Sequence, residues 1–540
     1  MAEYTVTAID TTQIQGYVFG SNKLRENIGG SELVETATHQ WVYEALPARN
    51  NVIDVATGEL DASLTIDNLD AEVIYAGGGN TVILFSSRDL AREFAGRLTR
   101  RVLKEAPGLE LVLAHNSFDW ATDVLAEVVS KTLGVDLARK KQNRVPSMPL
   151  LGLGVTTPCN STGLVASQVV EKKLVSNEIK AKGDGQVQER SRSRLAAKVP
   201  RIAQGDWEIP QDFDELGRMK GEESYIAVVH ADGNGMGKRV EAIAAQYNTP
   251  AQNREYIRAL REFSRSVELA ATEAMKKVVD LMADAFIADP DLANHHRGHF
   301  PLRPIVFGGD DVTFVCHGSY GLPLAVRYLE AFEEATRRDP AFGGKPAYAC
   351  AGIAIVKTHY PFARAYRLSE QLCHSAKKMV KEQGRDGSAL DWHVAMSGVT
   401  GTLEDIRERE YTVPQGSLCL RPVLREDAHT WRTWSVCKAL LDPFIDENGE
   451  WFDRRNKVKA LRDVLRKGED AVREFLTAYQ IDELPQVPAI NVTGYQKVGW
   501  AGDRCIYFDP IEVMDYFTDL QKTVQSLNEA PATEVKHVSV

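Results

Sequence analysis

A chain of 540 residues, 44% hydrophobic and 26% charged, has the composition of an ordinary soluble globular protein of roughly two to four domains. Its net charge of −11 excludes a protein that coats nucleic acid over its whole surface, though not one with a local basic groove. No apolar run is long enough to span a membrane, Met1-Ala2-Glu3-Tyr4 lacks the basic and apolar regions of a signal peptide, and the seven scattered cysteines suggest no disulfide framework, so a cytoplasmic, reducing setting is expected.

Four segments follow in chain order. In residues 1–150 the pattern predicts a strand over Tyr4–Ile9 and a helix over Ser31–Leu46. Strands over Glu72–Ala76 and Thr81–Ser86 flank Gly77-Gly78-Gly79-Asn80, a hairpin signal. A helix over Arg88–Glu105 and a strand over Leu109–Ala114 complete the order β-α-β-β-α-β of a ferredoxin-like unit. Residues 151–215 carry Arg190, Arg192, Arg194, Lys198 and Arg201, and read as a mobile basic connection or a solvated helix. Residues 216–395 repeat the first template. Strand Ser224–His230 and helix Arg254–Ala283 precede two strands, Pro304–Phe307 and Val312–Cys316, around Gly308-Gly309-Asp310-Asp311. Helix Leu322–Arg337, strand Ala347–Lys357 and helix Ala363–Glu382 close the repeat. Residues 396–540 predict helices over Asp453–Lys467 and Glu469–Ala478, with a frayed tail after Asn528.

The repeat aligns Asp10 with Asp232, and the stretch from Tyr75 to Thr81 with that from Val306 to Val312. Two homologous units facing each other as a pseudo-dimer are expected. Only the later copy keeps carboxylates at the hairpin; the earlier has Gly79 and Asn80 where it has Asp310 and Asp311.

Nucleotidyl transfer needs an activated hydroxyl and a stabilised pyrophosphate, and two divalent cations held by carboxylates supply both. Asp232 at a strand end, with Asp310 and Asp311 in the neighbouring turn, is such a set. Gly308 and Gly309 permit a tight turn, and Gly233, Gly235 and Gly237 permit backbone N–H groups to cradle phosphates. A turn built for its own sake is the plainer explanation of an Asp-rich hairpin, and the loss of carboxylates from one copy only argues against it. The stretch from Asp232 to Lys238 is neither a P-loop nor a GxGxxG fingerprint. His295, His296 and His299 read as an exposed loop, Cys373 and His374 as packing residues, and the basic runs 190–201 and 421–473 as solvated faces or RNA contacts.

The stretch Ala231-Asp232-Gly233-Asn234-Gly235-Met236-Gly237-Lys238, the run Phe307-Gly308-Gly309-Asp310-Asp311 and the helix with Cys373-His374-Ser375-Ala376-Lys377-Lys378 resemble the palm domains of the large subunit of type III CRISPR effector complexes, and more distantly GGDEF diguanylate cyclases. Ile9-Asp10-Thr11 and Gly29-Gly30-Ser31-Glu32-Leu33 resemble the opening of that family's inactive palm. The resemblance implies an α+β protein: a degenerate first palm in 1–150, a linker in 151–215, a catalytic palm in 216–395 and a helical C-terminal domain in 396–540. It implies condensation of ATP into 3′–5′ cyclic oligoadenylate, a messenger for antiviral effectors. Asp232, Asp310 and Asp311, with Gly233, would hold two Mg²⁺ or Mn²⁺ ions. Gly233, Gly308, Gly309 and Lys238 would line the nucleotide site, and Lys377 would reach the triphosphate or else be a solvated lysine. Ser31 would contact the acceptor base or else cap a helix. RNA, CRISPR-type effector subunits and downstream effectors are the implied partners, and no membrane is. The family's HD nuclease and CxxC zinc module have no counterpart here, so DNA cleavage is not expected and a stand-alone role is open. Asn234 stands where relatives often carry Asp and is not read as a lost ligand. Two other readings stand beside this one: a GGDEF-like cyclic dinucleotide synthase using GTP or ATP, and a nucleotide- or RNA-binding subunit without turnover.

Overall fold

A computed structural model describes residues 3–77, 79–144, 152–217, 224–384, 386–395 and 401–529. Gly78 and nearly all of the tail after Asn528 lie outside the described residues.

Strand β1 (Glu3–Thr12) opens the first sheet, and helix α1 (Leu24–Thr38) follows. Strands β2 (Ala71–Gly77) and β3 (Asn80–Phe85) form the first hairpin, and helix α2 (Arg88–Glu105) leads to β4 (Glu110–Asp119). Ser87 starts α2 by accepting a hydrogen bond from the Leu90 N–H. The order β2-β3-β1-β4, antiparallel throughout, is that of the expected ferredoxin-like unit. The helix expected from Ser31 instead begins at Leu24 and breaks at His39, so Gly29 and Gly30 lie inside it. Close packing explains Gly29: a Cβ there would come within 1.9 Å of the Lys182 carbonyl oxygen. A short helix α3 (Ala138–Gln142) follows β4.

The connection expected to be mobile is folded. A ribbon, Gln168–Val170 with Lys173–Val175, precedes helix Asn177–Gly183 and helix α4 (Gly185–Lys198), which Asp184 caps. Apart from the exposed Arg192, which pairs within the helix with Glu189, its basic residues are matched by acids of both halves. Arg190 and Arg194 pair with buried Glu32, Lys198 with Glu268 at 2.8 Å, and nearby Arg201 with Asp280 and Asp284. Tertiary pairing makes this run a docked helix instead of a solvated face.

The second sheet repeats the first. Strand β5 (Tyr225–Gly233), helix α5 (Met236–Gln246) and the long helix α6 (Asn253–Ala288) precede the hairpin of β6 (Leu302–Val306) and β7 (Asp311–His317). Helix α7 (Gly321–Arg338), strand β8 (Ala349–Lys357) and helix α8 (Phe362–Glu382) follow. Strand β9 (Ala389–Ala395) adds in parallel to β8, and the short β10 (Val423–Leu424) ends the order β6-β7-β5-β8-β9-β10.

One apolar cluster joins the two halves: Ile9, Leu24 and Leu33 of the first pack in the same core as Val228, Val315 and Leu372 of the second. Phe19 stacks on Tyr366 of α8 with ring centroids 3.8 Å apart. Residues beyond 401 form mostly helices, Arg455–Leu465 and Glu469–Ala478 among them, and add a sheet of two-residue strands. A second apolar cluster runs unbroken from the second sheet to Leu520. Within the basic run 421–473, Arg421 is fully buried between Asp509 and Glu512 and Arg425 pairs with Glu333, so these two are structural cations. Among the described residues no helix is long and apolar enough to cross a membrane.

The histidines expected on an exposed loop are not all there. His296 is 2% exposed, its Nε2 lies 2.8 Å from the Tyr320 hydroxyl, and its ring stacks on Phe286. His317, also buried, packs edge-on against it. Burial holds His296 down to about 3 and His317 to about 4, against an ordinary 6.5. The unfolded chain therefore binds more protons in that window, and stability present above the ordinary value is lost as pH falls toward the folded one. Moving from about pH 7 to about pH 5 should cost roughly 2 kcal/mol per histidine, read as a fall in the urea midpoint. In His317→Asn, which keeps an acceptor for the Ser319 N–H, that fall should be smaller.

Candidate active site at the second hairpin

Strand register brings the chemistry together. On β5 and β7 the directly opposed residues are Asp232 and Asp311. The same register on β1 and β3 opposes Asp10 and Asn80. The two hairpins are therefore equivalent in three dimensions, and the first has an amide where the second has a carboxylate. Asp310 lies in the turn, and its carbonyl oxygen accepts from the Gly233 N–H at 3.0 Å. Gly233 has to be glycine, because a Cβ there would sit 2.9 Å from that of Asp310.

Each copy also sets a lysine on its first carboxylate, from the helix that follows the fourth strand. Lys141 Nζ lies 2.6 Å from Asp10, and Lys377 Nζ lies 2.6 Å from Asp232. Lys377 Nζ also donates to the Gly233 carbonyl oxygen at 3.0 Å. Lys377 is thus anchored at the carboxylate, not solvated on its helix.

The remaining carboxylates are crowded. Asp311 is pushed up to about 7 by burial and then by Asp232 and Asp310, and Asp310 is raised by burial and by Asp232. The Asp311 side chain is 52% exposed by area, yet it sits in a concave cleft walled by protein, and like charges close by oppose its ionisation. His230 Nδ1 lies 3.3 Å from Asp311 Oδ1. Among the described residues no three His, Cys, Asp or Glu side chains gather closely enough to hold a metal ion as they stand. The donor chemistry nonetheless fits a hard cation: anionic oxygens repel one another, and an ammonium already bridges Asp232 and the Gly233 carbonyl.

The glycine cradle is smaller than expected. The Gly233 N–H is taken by Asp310, and the Asn234 N–H donates to the Tyr348 carbonyl at 2.7 Å. Only the first turn of α5 remains for phosphates, with Gly235 at φ +68° allowing the chain to enter it. Lys238 is exposed on that turn and does not line the cavity between the halves. The Asn234 side chain donates to the Gly387 carbonyl at 3.0 Å, a structural task consistent with its not being a lost ligand.

A cavity of about 150 Å³ lies between the halves, bounded by α1, α4 and the second hairpin. Gly308, Gly309, Asp310 and Asp311 line it, as does Ser31. Ser31 sits mid-helix, so it caps nothing; its hydroxyl donates across the interface to the Ile305 carbonyl at 2.6 Å. Gly308 adopts φ +120°, and a Cβ there would meet Lys198 Nζ at 3.0 Å. Lys198, His230, Lys141 and Arg303 were not singled out as site residues from the sequence. Lys141 was findable, because the repeat predicts a cation on the helix after the fourth strand. Arg303 carried one signal, a charge within the apolar strand from Leu302 to Val306.

The family model described as Cas10/Cmr2, second palm domain, matches residues 225–389. Residues 225–389 are similar in sequence to the second palm domain of that family. The matched stretch contains Asp232, Asp310, Asp311 and Lys377, and the first sheet repeats its strand order and register with Asn80 in the place of Asp311. The whole chain is similar in fold to solved Csm1 structures. A Csm1–Csm4 cassette in complex with cA4 aligns over 97% of this chain and 70% of its own at 15% identity and TM-score 0.51. A cassette in complex with AMPPNP aligns over the same shares at 16% identity and TM-score 0.51. Csm1 from T. onnurineus aligns over 98% of this chain and 70% of its own at 15% identity and TM-score 0.50. No curated protein sequence matches the chain.

Proposed function

We propose that this palm protein is a metal-dependent nucleotidyltransferase that condenses ATP into 3′–5′ cyclic oligoadenylate, as the large subunit of a type III CRISPR-like defence system. The observation that carries the proposal is the opposition of Asp232 and Asp311 across β5 and β7, beside an equivalent hairpin that lacks the carboxylate. The Csm1–Csm4 structures solved with cA4, cA3 and one ATP support the choice of substrate and product. The same structures favour a Csm4-like partner over a stand-alone chain.

Asp232, Asp310, Asp311 and the Gly233 carbonyl would hold Mg²⁺ or Mn²⁺. Bound there, two such ions supply the charge that activates an acceptor 3′-hydroxyl and stabilises the leaving pyrophosphate. Asp232 presents its carboxylate at the end of a central strand, and Asp311 faces it from the next, so the backbone and not a flexible loop positions both. Lys377, whose ammonium now rests on Asp232 and the Gly233 carbonyl, would compete with a cation for that carboxylate and would be the positive side chain at hand to neutralise substrate phosphate. The first palm supplies a wall for the acceptor, with Ser31 at the interface.

Incubating the chain with Mg²⁺ or Mn²⁺ and each of the four nucleoside triphosphates, then identifying products by mass spectrometry, tests the reading. Cyclic oligoadenylate supports it; a GTP-derived cyclic dinucleotide would replace it with a GGDEF-like synthase. Lack of any condensation product, even with a Csm4-like partner and RNA present, would reject it. Lys377→Met gives an independent check by calorimetry. Removing the competing ammonium should tighten Mn²⁺ binding by roughly tenfold, while the affinity for ATP falls by a similar factor. An unchanged Mn²⁺ affinity would place the cation elsewhere.

A further inference from the structure

Arg303 is 1% exposed, on β6, and lines the inter-palm cavity. Its Nε and Nη1 are buried without a hydrogen-bond partner. Arg421, the other fully buried arginine among the described residues, is held by Asp509 and Glu512, and the partly buried Arg407 and Arg261 are held by Asp391 and Glu72. The neighbouring charge that acts on Arg303 is another cation, Arg192, and burial together with Arg192 lowers the guanidinium to about 10. It remains charged at neutral pH. A buried cation without a counter-charge destabilises a fold, so such a group persists where an anion arrives from outside. The other cations on the cavity wall do not share its state. Arg194 is paired with Glu32 and Lys198 with Glu268.

We propose that Arg303 is the counter-charge for a phosphate group of a nucleotide seated in the inter-palm cavity, away from the reacting phosphorus. The inference rests on the nucleotidyl-transfer reading of the same site and adds a positioning residue to it. Arg303 lies opposite Val315, four residues along β7 from Asp311, roughly 13 Å at the usual strand rise. A phosphate held there is therefore not the one attacked at the carboxylates. It belongs to the part of the nucleotide or growing oligonucleotide that has to stay fixed while the 3′-hydroxyl reacts. A planar guanidinium suits a phosphate because an edge of its fork of N–H groups can donate to two oxygens at once.

The test measures binding, not turnover. Calorimetry on the full chain and on Arg303→Met would use ATP, adenosine and inorganic tripolyphosphate, and thermal melts would run beside it. ATP should bind the variant roughly ten- to hundredfold more weakly. Adenosine should bind both alike, and the variant's melting temperature should be unchanged or higher, since an uncompensated charge has been removed. Equal ATP affinity in both proteins overturns the proposal. Arg303-dependent binding of tripolyphosphate, with no gain from the adenosine moiety, keeps the phosphate site and instead rejects the nucleotide reading. A wild type that binds none of the three rejects both. Should Arg303→Met fail to fold, Arg303→Lys keeps the charge but loses the fork. Weaker ATP binding with an unchanged melt then supports the proposal, and unchanged binding overturns it.

Discussion

Asp310→Ala/Asp311→Ala is expected to reduce ATP condensation by at least about a thousandfold, since it removes most of the anionic oxygens that would hold the cations. The double variant should fold. Asp311 is pushed up to about 7 from an ordinary 3.8, first by burial and then by Asp232 and Asp310. A carboxyl raised in this way contributes its stability in the protonated form, and that contribution is lost as pH rises through the folded value. Near pH 8 the native protein therefore carries the repulsion in full, and the variant should melt at the same temperature or higher. Turnover surviving in the variant would remove the hairpin from the chemistry. A variant that loses both fold and turnover would show that the carboxylates are structural, against their crowding.

Glu72→Ala is expected to cost about 2–4 kcal/mol of stability, because it strands two partly buried arginines on the other side of the palm interface. Glu72 is 1% exposed on β2 of the first palm. Arg254 Nη1 donates to its two oxygens at 2.9 and 2.8 Å, and Arg261 Nη2 reaches it at 3.4 Å, both from α6 of the second palm. The Ile66 N–H donates to it as well at 2.9 Å. Urea unfolding would show the loss. The triple variant Glu72→Ala/Arg254→Met/Arg261→Met should recover much of it, because the cost comes from uncompensated charge. No recovery would mean that Glu72 acts through local packing alone. Turnover should fall in Glu72→Ala even where it remains folded, since the cavity depends on the two halves staying docked.

Much of this architecture was legible along the chain. The hairpin around Gly308-Gly309-Asp310-Asp311, the strand ending at Asp232 and the earlier degenerate copy all follow from alternation, turn residues and internal repetition. The observed register, Asp232 with Asp311 and Asp10 with Asn80, agrees with the alignment of the two copies. Three expectations failed for reasons of packing. Ser31 was expected near a helix start, but close approach to the Lys182 backbone, and not a turn, is what Gly29 serves. The basic run 190–201 looked solvated or mobile because its acidic partners, such as Glu32 and Glu268, lie far away in sequence. His296 looked exposed beside Asp289-Pro290, yet Phe286 and Tyr320 enclose it.

The sequence by itself determined the two sheets, the hairpins and which of them carries carboxylates. These depend on backbone sterics and on side-chain periodicity, which act over a few residues. Only the tertiary structure decided which cation rests on which acid. Lys377 on Asp232, Lys141 on Asp10 and the arginines of α6 on Glu72 join elements far apart in the chain. It alone left Arg303 buried without a partner beside the cavity. Burial and pairing are sums over all surrounding elements, so no local pattern encodes them. The carboxylates are placed by local rules, and the electrostatic setting in which they act arises when the palms dock.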